Sequence, residues 1–208
     1  MNTPEHVKTA AIESIRNNDS HYAPQKGKLE LRQAISNYLK KAIGVVYDPE
    51  TEIVVTVGAT EAINATLFSI TNQGDKVAIP TPVFSLYWPV ATLADADYVL
   101  MNTSEDNFKL TPKRLESTLK EESNIKAVIL NYPVNPTGVE YTESEIRALA
   151  EVIKAHNLYV ITDEIYSTLT YGVKHFSIAS VIPERAIYIS GLSKSHAMTG
   201  YRLGYVAG

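Results

Sequence analysis

The stretch that decides the fold is Ala186-Ile187-Tyr188-Ile189-Ser190-Gly191-Leu192-Ser193-Lys194-Ser195-His196-Ala197-Met198-Thr199-Gly200-Tyr201-Arg202. Its first four residues are an apolar run that reads as a buried strand. Gly191 breaks the run. Lys194 follows among small residues, and Arg202 lies beyond a glycine. A lysine at the mouth of a sheet is a candidate imine-forming amine, and an arginine close behind it is a candidate phosphate clamp. A carbonyl cofactor that carries a phosphate needs both. A surface lysine and an ion-paired arginine are the alternative reading of the same pair.

Outward from this stretch, the same pattern recurs. Ile53 to Val57, Lys76 to Ile79, Tyr98 to Met101, Ala127 to Leu130, Tyr159 to Thr162 and Tyr205 to Ala207 read as further strands. Between them lie helical patterns. Thr3-Pro4 reads as an N-cap followed by proline at the first helical position, before a stripe of Val7, Ala11, Ile12 and Ile15. Gly27 opens a helix with Leu31, Ile35 and Leu39 on one face. Ile63, Leu67 and Ile70 mark a third, and Phe84 to Thr92 a fourth. Thr111-Pro112 starts a fifth, and Thr142 with Glu145 forms a capping-box pattern for a sixth. Apolar strands alternating with amphipathic helices predict an α/β fold, a mostly parallel sheet covered on both faces.

Composition narrows the function classes. The chain has 208 residues, 45% hydrophobic and 20% charged, with a net charge of -4. It carries no block of Lys or Arg, which argues against nucleic-acid and anionic-membrane binding. There is no cysteine, so neither a disulfide framework nor thiolate chemistry is available, and a reducing compartment fits. No apolar run approaches a membrane span and no signal-peptide pattern is visible, so a cytoplasmic location is expected. The histidines at 6, 21, 156, 175 and 196 lack metal-ligand spacing and read as structural or surface groups.

In a parallel sheet, ligands bind beyond the carboxyl ends of the strands. Gly58-Ala59-Thr60, Asn135, Asp163 and Lys194 each fall just after or at the end of an expected strand. Gly58-Ala59-Thr60 opens a helix, where free N–H groups and the helix dipole favour a phosphate; turn-making and capping are the plainer roles there. A carboxylate at Asp163 suits a pyridine nitrogen that must stay protonated, or simply caps the next turn. Asn135 in Asn-Pro-Thr-Gly shapes a turn or donates to a ring oxygen, and Tyr166 has the same reach. Phe84, after Pro80-Thr81-Pro82, stacks on a planar ring or packs in the core.

Four of these stretches carry a resemblance: Val57-Gly58-Ala59-Thr60-Glu61-Ala62, Asn135-Pro136-Thr137-Gly138, Thr162-Asp163-Glu164-Ile165-Tyr166, and Ser193-Lys194-Ser195-His196-Ala197-Met198-Thr199-Gly200-Tyr201-Arg202-Leu203-Gly204. In that order and spacing, the chain resembles the large domain of the class I/II aminotransferases, pyridoxal-phosphate enzymes of fold type I, over essentially its whole length. The resemblance implies a three-layer α/β/α domain whose last strand is antiparallel, and a homodimer. It implies that Lys194 forms the imine with the cofactor and shuttles the substrate α-proton. It pairs Asp163 with the pyridinium nitrogen, places Asn135 and Tyr166 on the ring oxygen, and stacks Phe84 on the ring. The phosphate falls to Gly58, Ala59, Thr60 and Arg202, with Tyr22 reaching the neighbouring subunit's phosphate. Many relatives carry Ser or Thr three residues before the lysine; here Gly191 stands there, and Ser193 is the substitute.

The resemblance also sets an expected division. Residues 1–45 form a helical segment and dimer-contact loop, and residues 46–208 the cofactor-binding domain. A small C-terminal domain that supplies the arginine for the substrate α-carboxylate is expected to be absent, so this chain reads as a large-domain fragment that binds the cofactor but transaminates weakly or not at all. The implied reaction is amino transfer between an amino acid, of aspartate or aromatic type, and a 2-oxo acid. A carbon-sulfur lyase of the same fold and a non-catalytic cofactor-binding or dimerising module are the alternatives. A regulator's basic helix-turn-helix segment is not visible.

Overall fold

The computed structural model describes residues 2–208. Among them, seven strands form one sheet: β1 (Ile53–Val57), β2 (Lys76–Thr81), β3 (Asp97–Asn102), β4 (Ile125–Asn131), β5 (Tyr159–Asp163), β6 (Ala186–Gly191) and β7 (Leu203–Ala207). The helices are α1 (Glu5–Arg16), α2 (Leu29–Ile43), α3 (Gly58–Ile70), α4 (Tyr87–Leu93), α5 (Pro112–Glu121), α6 (Glu143–Ala155) and the single turn α7 (Leu192–Ser195). The strand order is β1-β7-β6-β5-β4-β2-β3. Only β7 runs against its neighbours, antiparallel to both β6 and β1; the β2–β3, β2–β4, β4–β5 and β5–β6 pairs are parallel. The mostly parallel sheet with an antiparallel last strand is therefore as expected.

Period-two alternation distributes the strand residues to two cores. On β4, Ala127 and Ile129 face a cluster with Ala62, Ile63 and Leu67 of α3 and Tyr87, Val90 and Ala91 of α4. Val128 and Leu130 face a second cluster with Ile35 and Leu39 of α2, Leu115 of α5, and Ile146, Leu149 and Ile153 of α6. The central strands are buried on both faces, which explains their unbroken apolar runs. The same parity decides the chemistry at the end of β5. Ile161 belongs to the α3/α4 side and Val160 to the α2/α6 side. Asp163 thus emerges on the α3/α4 face, and Glu164 turns to the opposite one.

Helix starts agree in part with the sequence reading. Thr142 and Glu145 make the capping box of α6, and Thr111 caps α5 by accepting from the Arg114 N–H, with Pro112 at the first helical position. Three boundaries differ. Thr3 does not cap α1; its hydroxyl donates to the Ala197 carbonyl at 2.7 Å, and Pro4 takes the N-cap position. α2 begins at Leu29, because Gly27 has φ +90° and lies so close to β1 that a Cβ would sit 2.6 Å from Val55. α4 starts at Tyr87 rather than Phe84. Pro89 tolerates only a place in a first turn, where its missing N–H is not needed, and so holds the start of the helix close to itself. Phe84 is left on the preceding loop.

Candidate functional site

A cleft of about 310 Å³ opens at the carboxyl ends of the strands, on the α3/α4 side. Of the residues expected from sequence, Ala59, Thr60, Phe84, Asn135, Asp163, Tyr166, Ser193, Lys194 and Arg202 all line it. Residues up to 143 positions apart in the chain thus meet at one place, as the strand-end rule requires. Tyr22 is not among the lining residues; it is fully exposed on the loop between α1 and α2.

At one end of the cleft an uncapped helix start and a guanidinium come together. α3 starts directly from β1 with no side chain capping its first turn among the described residues, so its leading N–H groups are free to meet a ligand. Gly58 adopts φ +74°, and a Cβ there would lie 2.2 Å from a guanidinium nitrogen of Arg202. The Arg202 guanidinium thus packs against the helix start, its Nη1 donating to the Thr199 carbonyl at 3.0 Å. Gly204 of β7 supports the same turn, since a Cβ on it would meet the Gly58 carbonyl carbon at 2.3 Å. Glycine at both positions is what lets β1, β7 and Arg202 close on one another.

Asp163 is the acidic element of the cleft. It is 4% exposed. Its Oδ2 accepts from the Tyr87 hydroxyl at 2.8 Å and its Oδ1 from the Ile165 N–H at 3.2 Å. Burial pushes its pKa up to about 6, against the downward pull of those two donors. No cation of the chain makes an ion pair with it among the described residues. The Asp163 carboxylate is thus buried with neutral donors only.

Lys194 sits on the single turn α7, its Nζ 5.6 Å from the centre of the Tyr166 ring. Asn135 presents its amide on the loop after β4. Its own N–H donates to Asn131 Oδ1 at 2.9 Å, and Asn131 Nδ2 donates to the Asp163 carbonyl at 3.0 Å. Asn131 therefore ties the Asn135 loop to the end of β5. Phe84 packs edge-on against Tyr87 with centroids 6.3 Å apart. The glycine at 191 has a steric cause: a Cβ there would lie 2.7 Å from the Leu203 carbonyl oxygen. Ser190 is turned away, its hydroxyl on the Glu164 carbonyl at 3.4 Å, whereas Ser193 lines the cleft.

Sequence reasoning missed Tyr87 and Asn131. Both are polar residues that hold a site residue without showing a motif of their own. Asn131 stood just after an expected strand, as did Gly58-Ala59-Thr60, Asn135 and Lys194, and was legible on that ground. No local pattern could have paired Tyr87 with Asp163.

Comparison with known proteins places this geometry in context. The family description "Aminotransferase class I and II" matches residues 1–208. A protein of Bacillus subtilis described as a probable N-acetyl-LL-diaminopimelate aminotransferase is 45% identical over 98% of this chain and 51% of its own length. An aspartate aminotransferase of Geobacillus stearothermophilus is 41% identical over 100% of this chain and 53% of its own. Among solved structures, the aromatic aminotransferase of Pyrococcus horikoshii superposes with a TM-score of 0.96 at 40% identity, over 100% of this chain and 56% of that one. The chain spans about half the length of the curated relatives it matches.

Proposed function

The chain belongs to the class I and II aminotransferases, and on that premise we propose that its cleft binds pyridoxal 5′-phosphate and serves amino-group transfer between an amino acid and a 2-oxo acid. The observation that carries the reading is the polarity of the cleft. A helix start backed by Arg202 suits a phosphate, and a buried carboxylate without a cationic partner suits a pyridinium nitrogen. The donor set therefore fits the two ends of this cofactor.

Each side chain then has a task. Arg202, the N–H groups of the first turn of α3 and the Thr60 hydroxyl hold the phosphate, with Ser193 as a further donor. Asp163 holds a proton on the ring nitrogen, and Tyr87 keeps the carboxylate aimed. Asn135 and Tyr166 donate to the ring oxygen, and Phe84 covers the ring face. When bound, pyridoxal phosphate supplies a carbonyl that condenses with amines and a ring that withdraws the electron pair left at a substrate α-carbon. With the group bound, Lys194 would act as general base on the substrate α-proton and then as general acid, delivering it across the shared nitrogen to the former carbonyl carbon on the same face of the site.

The names of the relatives span aspartate, aromatic and N-acetyl-diaminopimelate activities. We assign this chain the cofactor half of the machinery and leave the amino acid to residues that select it. We also propose a homodimer formed through residues 1–45, with Tyr22 reaching the partner's phosphate site. α1 buries none of its residues in the isolated chain, and Ile12, Ile15 and Tyr22 are exposed. Residues 46–208 remain the cofactor-binding unit. An absorbance titration with pyridoxal phosphate tests the reading: a saturable new band in the wild-type chain, lost in Lys194→Ala, is expected. A titration in which the two chains behave alike overturns it.

A further inference from the structure

The face of the sheet opposite the cleft carries a buried polar cluster that the proposed chemistry does not use. Glu164, the residue after Asp163, is 0% exposed. Its Oε1 accepts from Thr162 Oγ1 at 2.8 Å and Ser177 Oγ at 2.6 Å, and from the Tyr132 hydroxyl at 3.2 Å. Its Oε2 faces His175 Nε2 at 2.7 Å. The other ring nitrogen, Nδ1, faces Glu140 Oε2 at 3.2 Å. The His175 side chain is 9% exposed and that of Glu140 10%, so water replaces neither contact readily. An imidazole with a carboxylate oxygen at each nitrogen can donate to both only when doubly protonated.

The three carriers of this cluster are also the carriers of the site. Glu140 lies on the loop after β4 that bears Asn135. Glu164 is continuous with Asp163. His175 ends the segment that begins with Tyr166. We propose that His175 is a positioning residue: as a double donor between Glu140 and Glu164 it clamps the loop carrying Asn135 to the strand end carrying Asp163, and so sets the cofactor affinity of the cleft. This rests on the pyridoxal-phosphate reading above.

The electrostatics support the geometry. Burial by itself lowers the His175 pKa, but the hydrogen bonds to Glu140 and Glu164, together with their charges, outweigh it and push the value up to about 9. The other titratable groups around the imidazole are Tyr132, whose ring packs on it at 5.1 Å, and Lys174, Tyr38 and Tyr188, which share the shallow recess beside it. The ring is therefore a cation through the neutral range, and the clamp opens as pH rises past about 9.

Two substitutions divide the clamp. His175→Asn keeps a donor at the Nδ1 position only, and His175→Gln keeps one at the Nε2 position only. The full chain of each variant is titrated with pyridoxal phosphate from neutral pH upward, and its cooperative melting is recorded. Both variants are expected to bind about tenfold more weakly than wild type near neutral pH, the scale of a small displacement at an oriented site. That gap should close above the His175 pKa, where the wild-type clamp is itself open. Glu140→Gln keeps the acceptor but removes a charge, so it should bind like wild type in mild acid and like His175→Asn near the wild-type His175 pKa. Folded variants that bind within about twofold of wild type at every pH overturn the proposal, and so does a loss that does not vary with pH. Amide hydrogen exchange of residues 132–141 without cofactor separates this from failure of the cofactor reading. Should wild type bind no pyridoxal phosphate, that reading falls, while faster exchange in His175→Asn still supports the clamp and unchanged exchange removes it.

Discussion

Replacing Asp163 by asparagine should make the ligand-free protein more stable while weakening its binding of pyridoxal phosphate. Burial raises the Asp163 pKa from 3.8 to about 6, so the folded chain holds this proton more tightly than the unfolded chain does. The stability this contributes is fully present below about pH 4 and is lost as pH rises through about 6. At 1.36 kcal/mol per unit, the loss is at most about 3 kcal/mol at pH 8. Asparagine is neutral at every pH and removes that cost. It also keeps both hydrogen bonds: Oδ1 still accepts from Ile165, and the Tyr87 hydroxyl rotates to accept from Nδ2. Urea unfolding of the ligand-free chains should show Asp163→Asn ahead by about 1–3 kcal/mol at pH 8, a midpoint shift of about 1 M, with the difference vanishing near pH 4. The same variant should bind pyridoxal phosphate at least about tenfold more weakly, because a neutral amide no longer holds charge on the ring nitrogen. Equal stability at pH 8, or an advantage that does not change with pH, would refute the reasoning.

Three further outcomes follow from the same geometry. Gly204→Ala drives a Cβ into the Gly58 carbonyl carbon, 2.3 Å away, and should cost roughly 1–3 kcal/mol in urea unfolding together with weaker phosphate binding. Arg202→Lys keeps the charge but loses the flat guanidinium packed on Gly58, so inorganic phosphate and pyridoxal phosphate should both bind several-fold more weakly in calorimetry, with little change in melting. Ligand-free wild type should lose about 3 kcal/mol of stability between about pH 6.5 and 9, because the His175 pKa is raised in the folded state and its contribution fades as the ring deprotonates. His175→Asn should flatten that slope in the same unfolding series.

The fold was largely readable because the central strands of a doubly covered sheet are apolar throughout, and the helices between them amphipathic. Ala127 to Leu130 and Tyr159 to Thr162 show the first property, and Ile146, Leu149 and Ile153 the second. The antiparallel last strand came from the family resemblance rather than from the residues of β7. The site residues were readable for a topological reason. Parallel strands bring their carboxyl ends to one edge, so polar groups after β1, β4, β5 and β6 had to converge. What the sequence hid were contacts between residues far apart with no motif. Tyr87 meets Asp163 across 76 positions, and Thr3 reaches Ala197 across 194. Thr3-Pro4 has the form of a cap, yet the hydroxyl finds a tertiary acceptor instead. His175 read as a structural histidine because metal spacing was the property considered. Its significance lies in two carboxylates, 35 and 11 positions away.

The central claim is that Lys194 is the amine to which the cofactor couples. Incubation with pyridoxal phosphate, reduction with borohydride, proteolysis and mass spectrometry test it directly. The account predicts a fixed pyridoxyl adduct on Lys194 at stoichiometric cofactor, absent from Lys194→Ala and strongly reduced in Asp163→Asn. Label spread over other lysines alone, or equal labelling of wild type and Lys194→Ala, would contradict it.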